Sequence, residues 1–66
     1  MTYPVIATSK VSGNVYQFID ETTAIVLKLG GKVASMYKVG NTESGMIPPT
    51  NKDQYTIGQP LTFKEL

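Results

Sequence analysis

Two β-rich runs around a glycine pair constrain the fold of this chain more than any other feature. The first run is TTAIVLKL, residues 22–29, and the second is KVASMYKV, residues 32–39. Glycine adopts a positive φ at both central positions of a tight hairpin turn without steric cost. The sequence therefore predicts a β-hairpin over residues 22–39 with Gly30 and Gly31 as its loop.

The position of this loop also predicts which side chains of the hairpin share a face. The predicted pairs are Leu27 with Ala34 and Ile25 with Met36 on one face, and Lys28 with Val33, Val26 with Ser35 and Ala24 with Tyr37 on the other. The first face is apolar in its middle, and we expect it to line the core. The second face is only half polar, so it needs a separate explanation.

Strand-forming residues also precede this hairpin. Residues 3–11 alternate loosely, and Ser12-Gly13-Asn14 is typical of a turn. A loop formed by Gly13 and Asn14 predicts that Val11 pairs with Tyr16 and that Ser9 pairs with Phe18. That register collects Tyr3, Val5, Ala7, Val11, Tyr16 and Phe18 on one apolar face. The chain up to residue 39 is thus predicted to be a four-stranded antiparallel meander.

The chain after residue 39 differs in character. Residues 40–54, GNTESGMIPPTNKDQ, predict a long loop, with or without a short 3₁₀ turn. Residues 55–57 and 61–63 alternate and predict a C-terminal strand pair. We therefore expect a single all-β domain over residues 1–66: a small antiparallel barrel of five to six strands, SH3-like or OB-like, built from the meander plus the C-terminal strand pair.

Missing residue types exclude several chemistries. The chain has no cysteine and no histidine, so disulfides, the usual zinc sites and the Ser-His-Asp and Cys-His catalytic arrangements are absent. No phosphate-binding glycine motif occurs. Among the carboxylates, the Asp20-Glu21 pair is better interpreted as a turn cap than as a cation site. We expect a protein that is not an enzyme, with no catalytic residue, cofactor or metal.

Charge and hydropathy narrow the choice of partner. The six basic residues are all lysines and the net charge is +1, which sets no preference for the sign of a partner. Absence of arginine disfavours sequence-specific recognition of nucleic acid. No apolar run is long enough to cross a membrane, and the N-terminal residues lack a signal-peptide pattern. We expect a cytoplasmic protein without membrane association.

The favoured hypothesis is a protein-interaction or assembly module that binds a larger protein or forms a homo-oligomer. A small barrel covers only one face of its central hairpin, which leaves the half-polar face for a partner or for a homodimer. The predicted partner-binding residues on that face are Val26, Lys28, Val33 and Tyr37. A competing interpretation has Met46 and Ile47 of the long loop cover this face. The alternative function is weak, sequence-tolerant nucleic-acid binding through lysines and tyrosines.

Overall fold

The computed structural model describes residues 1–31 and 36–58 and forms one antiparallel sheet. Its strands are β1 (Val5–Ser9), β2 (Val15–Phe18), β3 (Ala24–Lys28), β4 (Thr42–Glu43) and β5 (Tyr55–Ile57), in the order β4-β3-β2-β1-β5. These described ranges contain no helix, so the all-β prediction is confirmed for them. Because β4 and β5 lie at opposite edges, the described strands form an open sheet and the predicted barrel is not confirmed. The predicted strand at 61–63 lies outside the described residues.

The first three strands form a meander, as predicted, because a short polar turn joins β2 to β3. Asp20 caps this turn: its Oδ1 accepts hydrogen bonds from the backbone N–H groups of Thr22 at 3.0 Å and Thr23 at 2.9 Å. These bonds, led by the one from Thr22, hold the pKa of the Asp20 carboxyl below its usual range. The interpretation of Asp20 as a turn cap is therefore confirmed.

The register between β1 and β2 differs from the predicted one. Tyr16 pairs with Ala7 rather than Val11, and Phe18 pairs with Val5 rather than Ser9. Each partner moves along β1 by an even number of residues, and such a shift leaves every side chain on its predicted face. Ala7, Tyr16 and Phe18 therefore still share the core. Val11 was also predicted there, but it lies beyond the strand and is 59% exposed.

The loop between these strands is longer than a two-residue turn. Ser9 N–H donates to the Asn14 carbonyl at 2.8 Å, and Gly13 N–H donates back to the Ser9 carbonyl at 2.9 Å. The Ser9 hydroxyl accepts from the N–H groups of Val11 at 3.2 Å and Ser12 at 3.1 Å. Ser9 therefore closes the loop with its side chain as well as its backbone, which moves the strand ends away from Gly13.

The central hairpin predicted over residues 22–39 is wrong in its pairing. The observed pairs are Ala24 with Glu43 and Ile25 with Thr42. The same contact continues where Val26 N–H donates to the Asn41 carbonyl at 2.9 Å and Gly40 N–H donates to the Val26 carbonyl at 2.8 Å. Met36, the predicted partner of Ile25, is instead 96% exposed. The predicted partners Val33, Ala34 and Ser35 fall in residues 32–35, outside the described ranges.

Gly30 and Gly31 are required for different reasons. Gly31 has a φ of +79°, as a tight turn predicts, whereas Gly30 is not in the positive-φ region. A Cβ atom on Gly30 would overlap the carbonyl oxygen of Ser12 and would lie 2.6 Å from the Gly13 Cα. Gly30 therefore allows the end of β3 to approach the β1–β2 loop backbone to backbone, a close contact that any side chain prevents.

The core lies on the face of β3 opposite to the predicted one. Ala24 and Val26 are fully buried, while Ile25 and Leu27 are half-buried on the other side of the strand, the outer face. The pairing of β3 with β2 decides this, because Val26 lies opposite Tyr16 in the ladder. Side chains directly opposite each other share a face of the sheet. Pairing with β2 therefore decides which residues of β3 face the core, and the position of the glycine pair does not.

The segment after β4 packs over this core. Met46 and Pro49 are buried, and Met46 N–H donates to the Thr22 carbonyl at 2.9 Å. The Tyr37 hydroxyl donates to the Met46 Sδ at 3.6 Å. The competing interpretation, in which the long loop covers the residues predicted to bind a partner, is confirmed for Met46. It is wrong for Ile47, whose side chain is exposed.

Candidate interaction surface

The structure separates the residues that were predicted to bind a partner. Val26 is 0% exposed within the core, and Tyr37 is half-buried against that core. Lys28 is exposed at the end of β3, and Val33 lies outside the described residues. The expected patch centred on Val26 is therefore wrong, because the core face of β3 is the one that carries this residue. Lys28 keeps an exposed position from which it could contact a partner.

Three tyrosines and Phe18 form a packed aromatic cluster around Tyr16. The ring of Tyr16 meets those of Phe18, Tyr37 and Tyr55 edge-on, with centroid separations of 6.1, 5.9 and 6.3 Å. Such pairs contribute about 0.5–1.5 kcal/mol each beyond the area they bury. Burial, with smaller contributions from Tyr16 and Tyr37, raises the pKa of Tyr55 to about 12. These rings stabilise the fold, and those of Tyr16, Phe18 and Tyr55 are too buried to stack on a ligand.

A buried asparagine ties one end of the sheet together. Asn14 Oδ1 accepts a hydrogen bond from Gly30 N–H at 2.7 Å, and its Nδ2 donates to the Tyr16 hydroxyl at 3.0 Å. The amide thus links the β1–β2 loop, the end of β3 and the aromatic cluster. The sequence does not reveal this role of Asn14, because asparagine after glycine is a common turn pair and nothing in the pattern marks it as buried.

Three lysines converge at this same end of the sheet. Lys10 follows β1, Lys28 ends β3 and Lys52 precedes β5, and all three are exposed. Lys10 Nζ donates to the Lys52 carbonyl at 2.7 Å, while Lys10 N–H donates to the Gln54 carbonyl at 2.7 Å. Antiparallel pairing brings these strand termini to one edge although they are far apart in sequence. We call residues 10–14, 28–31 and 52–54 the basic end.

Exposed apolar side chains accompany these lysines. Val11 is 59% and Leu29 is 40% exposed. Each lies one residue from the close backbone contact between Ser12 and Gly30, so the same contact holds both at the basic end. Asp53 is the one carboxylate of this end, and its N–H donates to Asn51 Oδ1 at 3.0 Å. The basic end is therefore a net positive surface that also carries two exposed apolar side chains.

The opposite end of the sheet carries acidic residues. Asp20 and Glu21 lie in the β2–β3 turn, and Glu43 pairs with Ala24 at the start of β3. Ile19 in the same turn is 46% exposed. The described lysines lie elsewhere, and three of them are at the basic end. The fourth, Lys38, accepts a hydrogen bond at its carbonyl from the N–H of Asn41 at 3.1 Å, and Asn41 in turn bonds to Val26 in the middle of β3. We call residues 19–23 and 43–46 the acidic end.

Neither a metal site, a membrane-spanning helix nor a similar known protein indicates a function for the described part of the chain. Within the described ranges, no three acidic side chains lie close enough together to hold a metal ion. In the same part of the chain, no helix is long and apolar enough to cross a membrane. No protein-family model, curated protein or solved structure matches this chain. The basic end is therefore identified by its own charge and exposure.

Proposed function

We propose that this chain is a non-enzymatic interaction module that binds protein through the basic end. The observation that carries the proposal is the pair of exposed apolar side chains, Val11 and Leu29, beside three exposed lysines. An apolar centre with a polar rim is the usual composition of a protein-binding surface. The proposal keeps Lys28 as a binding residue and moves the surface from the core face of β3 to the end of the sheet.

The charge of the basic end specifies the chemistry of the partner. Lysine ammonium groups on long side chains attract an acidic surface at a distance and increase the rate of encounter. Val11 and Leu29 then provide apolar area for contact once the surfaces meet. A chain of 66 residues has a small core, so binding also stabilises its folded state. The partner is accordingly a protein whose surface combines carboxylates with exposed apolar side chains.

A second candidate function, weak and sequence-tolerant nucleic-acid binding, uses the same lysines. Proteins that bind single strands combine basic surfaces with aromatic rings on which bases stack. At the basic end the exposed side chains beside the lysines are aliphatic, and Tyr16 and Tyr55 are buried behind them. This difference favours a protein partner over nucleic acid.

The proposal includes a small cytoplasmic barrel as the form in which the module acts. The edge strands β4 and β5 are short, with two and three residues, and closure of the sheet would protect their unpaired backbone groups. Absence of cysteine is compatible with a reducing compartment. Protection of both sets of edge amides from hydrogen exchange would support closure, and rapid exchange of both would contradict it.

Co-purification with matched variants tests the proposed function. Lys28→Glu should remove a bound protein, whereas Lys38→Glu, the same charge change outside the basic end, should retain it. Val11→Ser should weaken capture, and Val39→Ser provides its control because the two valines are 59% and 60% exposed. Equal loss in variants and controls, or no loss in any of them, would contradict the proposal. Bound material that nuclease treatment releases would favour the nucleic-acid alternative.

A further inference from the structure

We propose that the partner of the basic end is the acidic end of a second copy, so that copies of this chain associate head to tail. The inference rests on the proposed function, in that the basic end must bind protein. It goes further by naming the surface that this end binds. The two ends lie at opposite termini of β1, β2 and β3, so one molecule presents both surfaces at once.

The charges of the two ends are complementary. Lys10, Lys28 and Lys52 are exposed at one end, with Asp53 as the one carboxylate among them. The acidic end carries three carboxylates, those of Asp20, Glu21 and Glu43, and none of the described lysines. Opposite potentials on facing surfaces favour one orientation of contact and disfavour the others. Here they favour contact between unlike ends.

The local structure holds the charged groups in place before contact. The hydrogen bond from Lys10 Nζ to the Lys52 carbonyl directs that ammonium along the surface of the basic end. The Asp20 carboxylate is fixed by the N–H groups of Thr22 and Thr23. Ordering that precedes binding lowers the entropy lost on association. Both ends are therefore partly preorganised.

Exposed apolar side chains are present at both ends as well. Val11 and Leu29 lie at the basic end, and Ile19 lies at the acidic end beside Asp20 and Glu21. Contact between unlike ends brings these apolar groups together within a rim of opposite charges. The two ends are thus complementary: each combines exposed apolar side chains with charges opposite to those of the other end.

Head-to-tail contact has a consequence for symmetry. A twofold homodimer that met end to end would place a basic end against a basic end or an acidic end against an acidic end, and like charges would repel. A heterologous contact instead leaves one free end on each side of every pair, so association continues into open chains or closes into a ring. Exposed ion pairs are individually weak and salt-sensitive, so we expect association to depend on concentration and on ionic strength.

Sedimentation velocity of the whole chain, free of other proteins, tests the inference. At protein concentrations up to about 1 mM and in about 0.01 M salt, the wild type should form species larger than dimers. At about 1 M salt, where the screening length falls to about 3 Å, it should sediment as a monomer. Lys28→Glu and Glu21→Lys should each weaken association about tenfold, since each replaces an attraction by a repulsion.

Mixing the variants gives the sharpest result. Lys28→Glu retains an intact acidic end and Glu21→Lys retains an intact basic end, and their two altered ends carry exchanged charges. An equimolar mixture should therefore regain the association that each variant alone has lost. Lys38→Glu is the control for Lys28→Glu. Asp53→Lys has the same charge change as Glu21→Lys but makes the basic end more positive, so it should strengthen association where Glu21→Lys weakens it. Far-UV circular dichroism confirms that each variant is folded.

Failures of the two proposals have different signatures. A wild type that stays monomeric in low salt, or a mixture of variants that does not regain association, overturns the head-to-tail contact. If a co-purifying protein is still lost with Lys28→Glu, the proposed function survives that failure. Absence of both self-association and any partner that depends on Lys28 overturns the two together.

Discussion

Replacing Gly30 by alanine separates two explanations of the glycine pair. The new Cβ would overlap the Ser12 carbonyl oxygen and would lie 2.6 Å from the Gly13 Cα, so the end of β3 must move away from the β1–β2 loop. Overpacking of this kind costs about 1–3 kcal/mol. The movement also lengthens the 2.7 Å hydrogen bond from Gly30 N–H to Asn14 Oδ1. Loss of such a bond to a buried acceptor costs about 1–3 kcal/mol.

Together these effects predict a loss of about 2–4 kcal/mol for Gly30→Ala, after allowance for partial relaxation. A chain of 66 residues has a total stability of about 3–10 kcal/mol, so the variant should be partly unfolded or close to it. Gly31→Ala provides the matched control: its φ is +79° and nothing lies within 4 Å of its Cβ position, so only backbone strain applies. That strain costs about 1–2 kcal/mol.

Urea unfolding followed by far-UV circular dichroism measures both variants. The structure predicts that Gly30→Ala loses more stability than Gly31→Ala. A tight turn in which both glycines take positive φ predicts equal losses instead. The explanation by close approach is refuted if Gly31→Ala costs as much as Gly30→Ala, or if Gly30→Ala costs less than about 1 kcal/mol.

Three further predictions concern the core and its titration. Val26→Ala should destabilise the fold by about 2 kcal/mol and Leu27→Ala by about 1 kcal/mol, since of these two residues only Val26 is fully buried. The reverse order in urea unfolding would mean that the core lies on the face of β3 that the glycine pair predicts. Asn14→Ala should cost about 2–4 kcal/mol of stability in the same assay, because it leaves the Gly30 N–H without its acceptor and removes the partner of the Tyr16 hydroxyl. A loss below about 1 kcal/mol would contradict the linking role of Asn14. Burial raises the pKa of Tyr55 to about 12, so the stability that its neutral ring contributes should be complete below about pH 10, the unfolded pKa, and should be lost as the pH rises toward 12. Tyr55→Phe should flatten this alkaline loss in tyrosinate absorbance and circular dichroism, and an unchanged alkaline transition would contradict it.

The sequence predicts β1 and β2 well, because both runs are rich in strand-forming residues and turn residues lie between them. Ala7, Tyr16 and Phe18 reach the core even though the predicted register is wrong. The reason is that an even shift preserves the face of each side chain. Alternation therefore identifies a buried face more reliably than it identifies the partner of each residue.

The face of β3 could not be predicted in the same way. Residues 24–27 read AIVL, so both faces are apolar and alternation carries no information there. The glycine pair was then the only feature that predicted which face of β3 is buried, and the observed pairing with β2 buries the other face. β4, with Thr42 and Glu43, was also missed, because a two-residue strand in a polar segment forms through its hydrogen bonds to β3 and not through its own propensity.

The candidate surface was predicted only in part. Lys28 was identified, but its proximity to Lys10 and Lys52 follows from the order of the strands, which no local pattern of the sequence contains. The exposure of Val11 follows from the loop closed by Ser9. Residues brought together by tertiary pairing are thus the ones that a single sequence locates least well.

Chemical-shift mapping of self-association tests the head-to-tail contact most directly. Isotope-labelled protein at low concentration and low salt is titrated with unlabelled protein while each backbone amide is followed. Shifts should appear at the two ends together, at residues 10–14, 28–31 and 52–54 and at residues 19–23 and 43–46, and about 1 M salt should remove them. Shifts centred on Ile6 and Ile25 of the outer face, or no shifts at any concentration, would contradict association through the ends of the sheet.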